Sequence, residues 1–190
     1  MMFPPIPLRE TSRLRLRKLT VADTEAYYRH LFGSEAVARY MLWNPHQDIS
    51  ESEASIQEVL RRYDEGRCYR WGIALKETDS LIGILELLRF DEDVESCSFA
   101  YMLGEDFWGC GYGTEALTAA FDFAFTQMEI KTITADHMTA NPASGRVMEK
   151  VGMQKTRLLP GKYQKNGTFY DAIEYSITQS DWNKNSRAGS

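Results

Sequence analysis

The chain has 190 residues, 43% of them hydrophobic and 12% aromatic, enough for one compact core and too few for two. Lysine and arginine number 22 against 27 aspartates and glutamates, a net charge of −5 that disfavours general nucleic-acid binding. Cys68, Cys97 and Cys110 are an odd set without Cys-x-x-Cys spacing, which argues against a disulfide framework or a zinc site and for reduced thiols in the cytoplasm.

Residues Met1 to Leu8 carry three prolines and no basic n-region, so they do not read as a signal peptide. No apolar run approaches the ~20 residues of a membrane span. Ser12 to Leu19 alternates Leu14 and Leu16 with Arg13, Arg15 and Arg17, the period of a half-buried strand. Thr20 then caps a helix to about Phe32, with Asp23 at the capping-box position and Gly33 as its end. Arg39 to His46 is an apolar patch read either as a substrate-covering loop or as core beneath a loop. Ser50 with Glu53 reads as a second capping box, opening a helix to about Asp64 that stops at Gly66.

Tyr69–Lys76, Leu81–Phe90 and Cys97–Leu103 read as three successive antiparallel strands. From Tyr112 onward, Leu117, Phe121, Ala124, Phe125 and Met128 fall at helical spacing and predict a long amphipathic helix. Ile130–Met138 returns to a strand, and Asn141-Pro142 opens a shorter helix ending at Gly152. Gln154–Gln164 and Phe169–Thr178 are the last two strands, joined through Asn166-Gly167, a hairpin dipeptide. This order predicts an α+β fold, a mixed and mostly antiparallel twisted sheet flanked by helices with a central βαβ unit. Residues 1–182 form a single domain in this reading, and 183–190 a polar, flexible tail.

The most informative segment is Trp108-Gly109-Cys110-Gly111-Tyr112-Gly113-Thr114-Glu115-Ala116, between a strand and the long helix. Glycines on alternate positions bring bare N–H groups close to a ligand, and the helix N-terminus adds unpaired N–H groups with a partial positive charge. Such a loop can hold a phosphate or pyrophosphate by main chain alone, which suits an acidic protein. A dinucleotide fingerprint starting at Gly109 fails at Thr114, although Asp136 could serve as its acidic residue. That fold also needs repeated βαβ units, and only one is present. A Gly-Lys-Ser/Thr P-loop is absent.

This loop resembles the coenzyme-A loop of the GNAT N-acetyltransferase superfamily, in the subgroup that acetylates N-termini of ribosomal proteins. Asn141 to Met153 resembles the family's second signature, Asn-x-x-Ser followed by a helix ending at Gly. Thr11 to Arg17 and the closing Asn166, Gly167, Asp171 hairpin also fit, so the resemblance spans residues 10 to 182. It implies a GNAT-like sheet and acetyl-CoA as cosubstrate, with no metal. Trp108, Gly109, Cys110, Gly111, Tyr112, Gly113 and Thr114 would hold the pyrophosphate. The strand end Tyr101-Met102-Leu103 would splay from the Ile130–Met138 strand, leaving free main-chain groups for the pantetheine arm, and Asn141 and Ser144 would also contact the cofactor.

Acetyl transfer requires a deprotonated amine, its placement at the thioester, a stabilised oxyanion and a proton for the thiolate. An α-amine at about 8 is easier to deprotonate than lysine at about 10.4, by roughly 3 kcal/mol. The resemblance makes Ser144 the first candidate to protonate the leaving thiolate. Relatives often carry Glu where Ser98 stands in Cys97-Ser98-Phe99-Ala100-Tyr101, and an acid near Tyr163, so Tyr163 is one candidate for the base. Glu86 is another, because it interrupts the apolar run Leu81 to Leu88, where burial would raise its pKa; its alternative is a strand residue facing water.

The reading is therefore a cytoplasmic, acetyl-CoA-dependent N-acetyltransferase acting by direct attack in a ternary complex on a primary amine, with a protein N-terminus, a small-molecule drug and a polyamine all open as acceptors. Neither nucleic acid nor membrane is a partner in it. A non-catalytic acyl-CoA-binding module is the alternative, kept by the strand glutamate that Ser98 replaces, and a nicotinamide oxidoreductase is a third reading. The sequence leaves the acceptor, the general base and the oligomeric state open, a homodimer included.

Overall fold

A computed structural model describes residues 4–66, 68–91, 93 and 95–188. Eight strands form one sheet: β1 (Arg9–Glu10), β2 (Leu14–Arg17), β3 (Tyr69–Leu75), β4 (Leu81–Asp91), β5 (Ser96–Leu103), β6 (Thr132–Met138), β7 (Gln154–Lys165) and β8 (Thr168–Thr178). Their spatial order is β1-β2-β3-β4-β5-β6-β8-β7. All pairings are antiparallel except β5 with β6, which are joined by a crossover helix, so the expected mixed sheet with one βαβ unit is present.

Helix α1 covers residues 21–32 as a 3-10 turn (Val21–Asp23), an α turn (Thr24–Ala26) and a π-helical stretch (Tyr27–Phe32). The Asp23 carboxylate accepts the Thr20 amide at 2.7 Å, as the capping pattern requires. A short helix missed by sequence pattern, α2 (Glu35–Ala38), follows with Ser34 as its cap. Helix α3 (Ile49–Asp64) starts earlier than expected. Asp48, not Ser50, caps it by accepting the Ser50 amide at 2.8 Å, and Glu51, not Glu53, reaches back to the Gln47 amide at 2.8 Å. Gly66, at φ +65°, follows the helix end.

Helix α4 (Tyr112–Thr126) packs on one sheet face and α5 (Pro142–Lys150) sits beside it. Phe121, Phe123 and Phe125 on α4 are buried against Trp71, Ile133 and their neighbours, each contributing roughly 1.5–3 kcal/mol of transfer energy. On the other face Tyr27 and Leu31 of α1 and Ile56 and Val59 of α3 enclose a second cluster with Leu19 and Ile84.

The tail expected from residue 183 needs correction. Helix α6 (Gln179–Ala188) carries the chain through residue 188, and 189–190 lie outside the described residues. Trp182 anchors it edge-on to Phe121 with ring centroids 6.0 Å apart, and Thr178 accepts the Asp181 amide at 3.2 Å as an N-terminal cap. The three cysteines are free, as expected, with Cys68 and Cys97 buried and Cys110 exposed. No helix among the described residues is long and apolar enough to cross a membrane.

Candidate active site

The register of the two parallel strands creates the site. Pairing of β5 with β6 covers Ser96–Thr132, Cys97–Ile133 and Ser98–Thr134 and then ceases, although β5 runs on to Leu103 and β6 to Met138. Beyond Ser98 the edge of β5 that faces β6 has no strand partner, and the two strands diverge into an opening. A cleft of about 510 Å³ lies against this free end of β5, in the range of small-molecule sites. Its walls come from the β5 end (Tyr101, Met102, Leu103), the loop Trp108 to Thr114, the start of α5 (Asn141, Ser144, Arg146, Lys150) and the α2 segment (Val37, Tyr40, Met41).

The glycine loop takes its shape from two left-handed residues, Gly109 at φ +74° and Gly111 at φ +82°, a region costing an L side chain ~1–2 kcal/mol. Gly111 is the N-cap of α4, and no side chain caps the helix there. The first-turn amides of Tyr112, Gly113 and Thr114 are therefore free of side-chain acceptors and aim at an anion site. Arg146 and Lys150 stand on the facing wall, and no carboxylate lines the cleft among the described residues. In a chain of net charge −5, this local balance fits a polyanionic ligand.

Of the expected cofactor residues, Tyr101, Met102, Leu103, Trp108, Gly109, Gly111, Tyr112, Gly113, Thr114, Asn141 and Ser144 line one cleft, and Cys110 does not. Cys110 turns outward, its thiol toward the Trp108 carbonyl at 3.5 Å. The carbonyl of Leu103, expected to be free for the pantetheine arm, already accepts the Trp108 indole N–H at 2.8 Å. The Asn141 side chain caps α5 by accepting the Ser144 amide at 3.4 Å, with Pro142 pre-set for the first turn. Ser144 and Tyr101 both line the cleft; burial pushes the Tyr101 phenol up and the Ser144 hydroxyl partly offsets this.

The candidates for the base fare differently. Glu86 faces neither water nor the cleft. It is 9% exposed, receives Arg70 at 2.9 and 2.6 Å and Arg62 at 3.1 Å, and so has both oxygens engaged in a buried ion pair. Of the two expectations for Glu86, burial holds and exposure to water does not, and Arg70 lies directly opposite it on β3. Tyr163 on β7 is not among the cleft-lining residues; its hydroxyl donates to Asp136 on β6, which also pairs with Lys162. Burial, and then the bond to Asp136, pushes the Tyr163 phenol well above its ordinary value. Asp136 lies on the sheet face opposite Ile133 and Ala135, on the strand forming one lip of the opening. Ser98 gives its hydroxyl to the Leu88 carbonyl at 3.2 Å.

Sequence reasoning left the Arg39–His46 patch open and missed the reach of Arg13. The Tyr40–Met41 part of the apolar patch lines the cleft, and Leu42 is 56% exposed, so this stretch is a wall and not core beneath a loop. Arg13 reaches the glycine loop from the N-terminal segment and donates to the Cys110 carbonyl at 3.0 Å. The two are 97 residues apart, and only the alternating arginines around Arg13 marked that segment in the sequence.

The acetyltransferase (GNAT) domain family matches residues 13–154, three quarters of the chain and all of the cleft but part of the hairpin beyond it. The chain belongs to the GNAT acetyltransferases. Like other members, this GNAT protein is an acetyl-CoA-dependent N-acetyltransferase that transfers acetyl to an amine. It is 31% identical to YoaA, an uncharacterized N-acetyltransferase of Bacillus subtilis, over 91% of its own length and 97% of the relative's. It is 25% identical to the ribosomal protein uS5-alanine N-acetyltransferase of Escherichia coli, over 90% and 91% of the two chains. The spermidine N-acetyltransferase of Vibrio cholerae, solved with CoA and spermine, superposes with a TM-score of 0.78 at 21% identity, covering 91% of this chain and 99% of that one. The GNAT fold thus extends through the closing hairpin.

Proposed function

We propose that this acetyltransferase binds acetyl-CoA with its diphosphate on the amides of residues 109–114 and acetylates a primary amine, a protein N-terminal α-amine by preference, by direct attack in a ternary complex. The observation that carries the placement is the uncapped N-terminus of α4 in one cleft with Arg146, Lys150 and the end of β5 that has no β6 partner. Acetyl-CoA supplies the activated thioester. The unpaired edge of β5 past Ser98 offers main-chain groups to the extended arm of the cosubstrate. Ser144, in the first turn of α5 and on the wall of the cleft with Tyr101, would give a proton to the departing thiolate.

For the amine proton, Asp136 replaces Tyr163 and Glu86 in this reading: it too lies outside the cleft lining, on the strand that forms one lip of the opening, and would take the proton through one water. Its carboxylate is fixed by the Tyr163 hydroxyl, so Tyr163 orients the base and does not itself take the proton. The α-amine preference rests on the lower pKa of that amine and on similarity to the uS5-alanine enzyme. The spermidine enzyme marks polyamines as the competing acceptor class. The same reading places the enzyme in the cytoplasm, away from nucleic acid and membranes, and admits a homodimer.

Thiol release from acetyl-CoA with panels of alanine- or serine-initiated peptides, polyamines and aminoglycosides tests the acceptor. Peptide turnover with intersecting initial-velocity lines supports the reading. Parallel lines, or turnover of polyamines alone, contradict it. Asp136→Asn lowers kcat by about 10²–10⁴ in the folded enzyme; an unchanged kcat excludes Asp136.

A further inference from the structure

Helix α4 carries a carboxylate, Glu115, in its first turn, next to the amides that face the cleft. Left bare, it would oppose an anionic ligand at that helix end. It is not bare. One Glu115 oxygen accepts the Thr11 hydroxyl at 2.5 Å, the Ser12 hydroxyl at 3.1 Å and the Arg13 amide at 2.9 Å. The other accepts Arg13 Nε at 2.7 Å, with Nη2 also at 2.7 Å. The same guanidinium donates through Nη1 to the Cys110 carbonyl and lies over the Tyr112 ring, 4.5 Å from its centroid. Its Nη2 is 3.4 Å from where a Cβ on Gly111 would stand. One side chain therefore touches Cys110 and Tyr112, on either side of Gly111, and cancels the nearest negative charge.

We propose that Arg13 is a positioning residue for coenzyme A: it neutralises Glu115 at the α4 N-terminus and pins the Cys110 carbonyl, so that the amides of residues 111–114 stay turned toward the diphosphate. This rests on the cofactor placement proposed above. Arg13 needs no contact with the ligand, because its fork is spent on Glu115 and Cys110. Lysine cannot replace it, since a single ammonium cannot span both acceptors with the same planar geometry.

Coenzyme A binding is measured by titration calorimetry, and KM is measured for acetyl-CoA and for the amine, on wild type, Arg13→Met, Glu115→Gln and the double variant. Arg13→Met weakens coenzyme A at least tenfold and raises KM for acetyl-CoA, leaving KM for the amine within twofold. Glu115→Gln binds coenzyme A at least as tightly as wild type, even where its melting temperature falls, because the loop gains positive charge. The double variant recovers at least threefold of the affinity lost in Arg13→Met. Affinity of Arg13→Met within twofold of wild type, equal rises in both KM values, or a weakened Glu115→Gln would overturn the proposal. Should Arg13→Met not fold, Glu115→Gln alone decides, because a purely structural brace would lose affinity there. Wild type that fails to bind coenzyme A would instead overturn the cofactor placement.

Discussion

Gly83 on β4 leaves room for the main chain of Met102 on β5: a Cβ on residue 83 would stand 2.5 Å from the Met102 carbonyl oxygen and 2.5 Å from Leu103 Cδ2. The carbonyl belongs to backbone and cannot swing aside. This close approach sets where the β5 end lies, and hence where the cleft opens. Gly83→Ala is expected to destabilise the protein by about 1–3 kcal/mol, the usual range for overpacking. Urea denaturation reads the loss, and an unchanged midpoint would show that β5 is not held this way.

Gly111 is a second position where a side chain is excluded, here by conformation. At φ +82° any L residue is strained, and a β-branched one most of all. Gly111→Val is expected to weaken coenzyme A binding at least tenfold while far-UV circular dichroism stays that of the folded protein. Wild-type affinity in a folded variant contradicts the loop placement.

Glu86 separates a structural carboxylate from a catalytic one. Glu86→Gln leaves Arg70 and Arg62 with a neutral partner in a buried site, at a cost of about 3 kcal/mol. The melting temperature is expected to fall while kcat of the folded enzyme stays within a few-fold of wild type. Loss of kcat with full stability would make Glu86 the base after all.

Acid should act through carboxylates held below their ordinary range. Burial alone would push Glu115 up, but the Thr11, Arg13 and Ser12 hydrogen bonds outweigh it, and the Arg157 guanidinium lowers Glu174. Each binds fewer protons folded than unfolded near pH 4, so stability rises with pH there. Their contribution is complete above the unfolded value of about 4.3 and is lost as pH falls through the folded one. The melting temperature of Glu115→Gln/Glu174→Gln is expected to vary less between pH 5 and 3 than that of wild type, by roughly these two linkage contributions. Parallel curves would contradict the assignment.

Local signals made the middle of the fold legible. Asn166 and Gly167 both have positive φ, 50° and 79°, as a tight hairpin turn requires, and the glycine loop and α4 lie where spacing put them. Short-range competition shifted or hid the rest: Asp48 took the α3 cap from Ser50, the four-residue α2 was too short to leave a periodic mark, and Trp182 anchors the helix that runs into what composition marked as a tail. The site was legible only on the cofactor side. Arg70 is 16 residues and Arg62 is 24 from Glu86, and Asp136 meets Tyr163 only through the register of β6, β8 and β7. A side chain's charge partner across a sheet leaves no periodic mark in sequence.

Hydrogen exchange with and without acetyl-CoA tests the central placement most directly. The account predicts slowed exchange at amides 109–114 and at the start of α5, with α1 and α3 unchanged. Saturating acetyl-CoA that leaves 109–114 exchanging at the free rate, while protecting another surface, would contradict it.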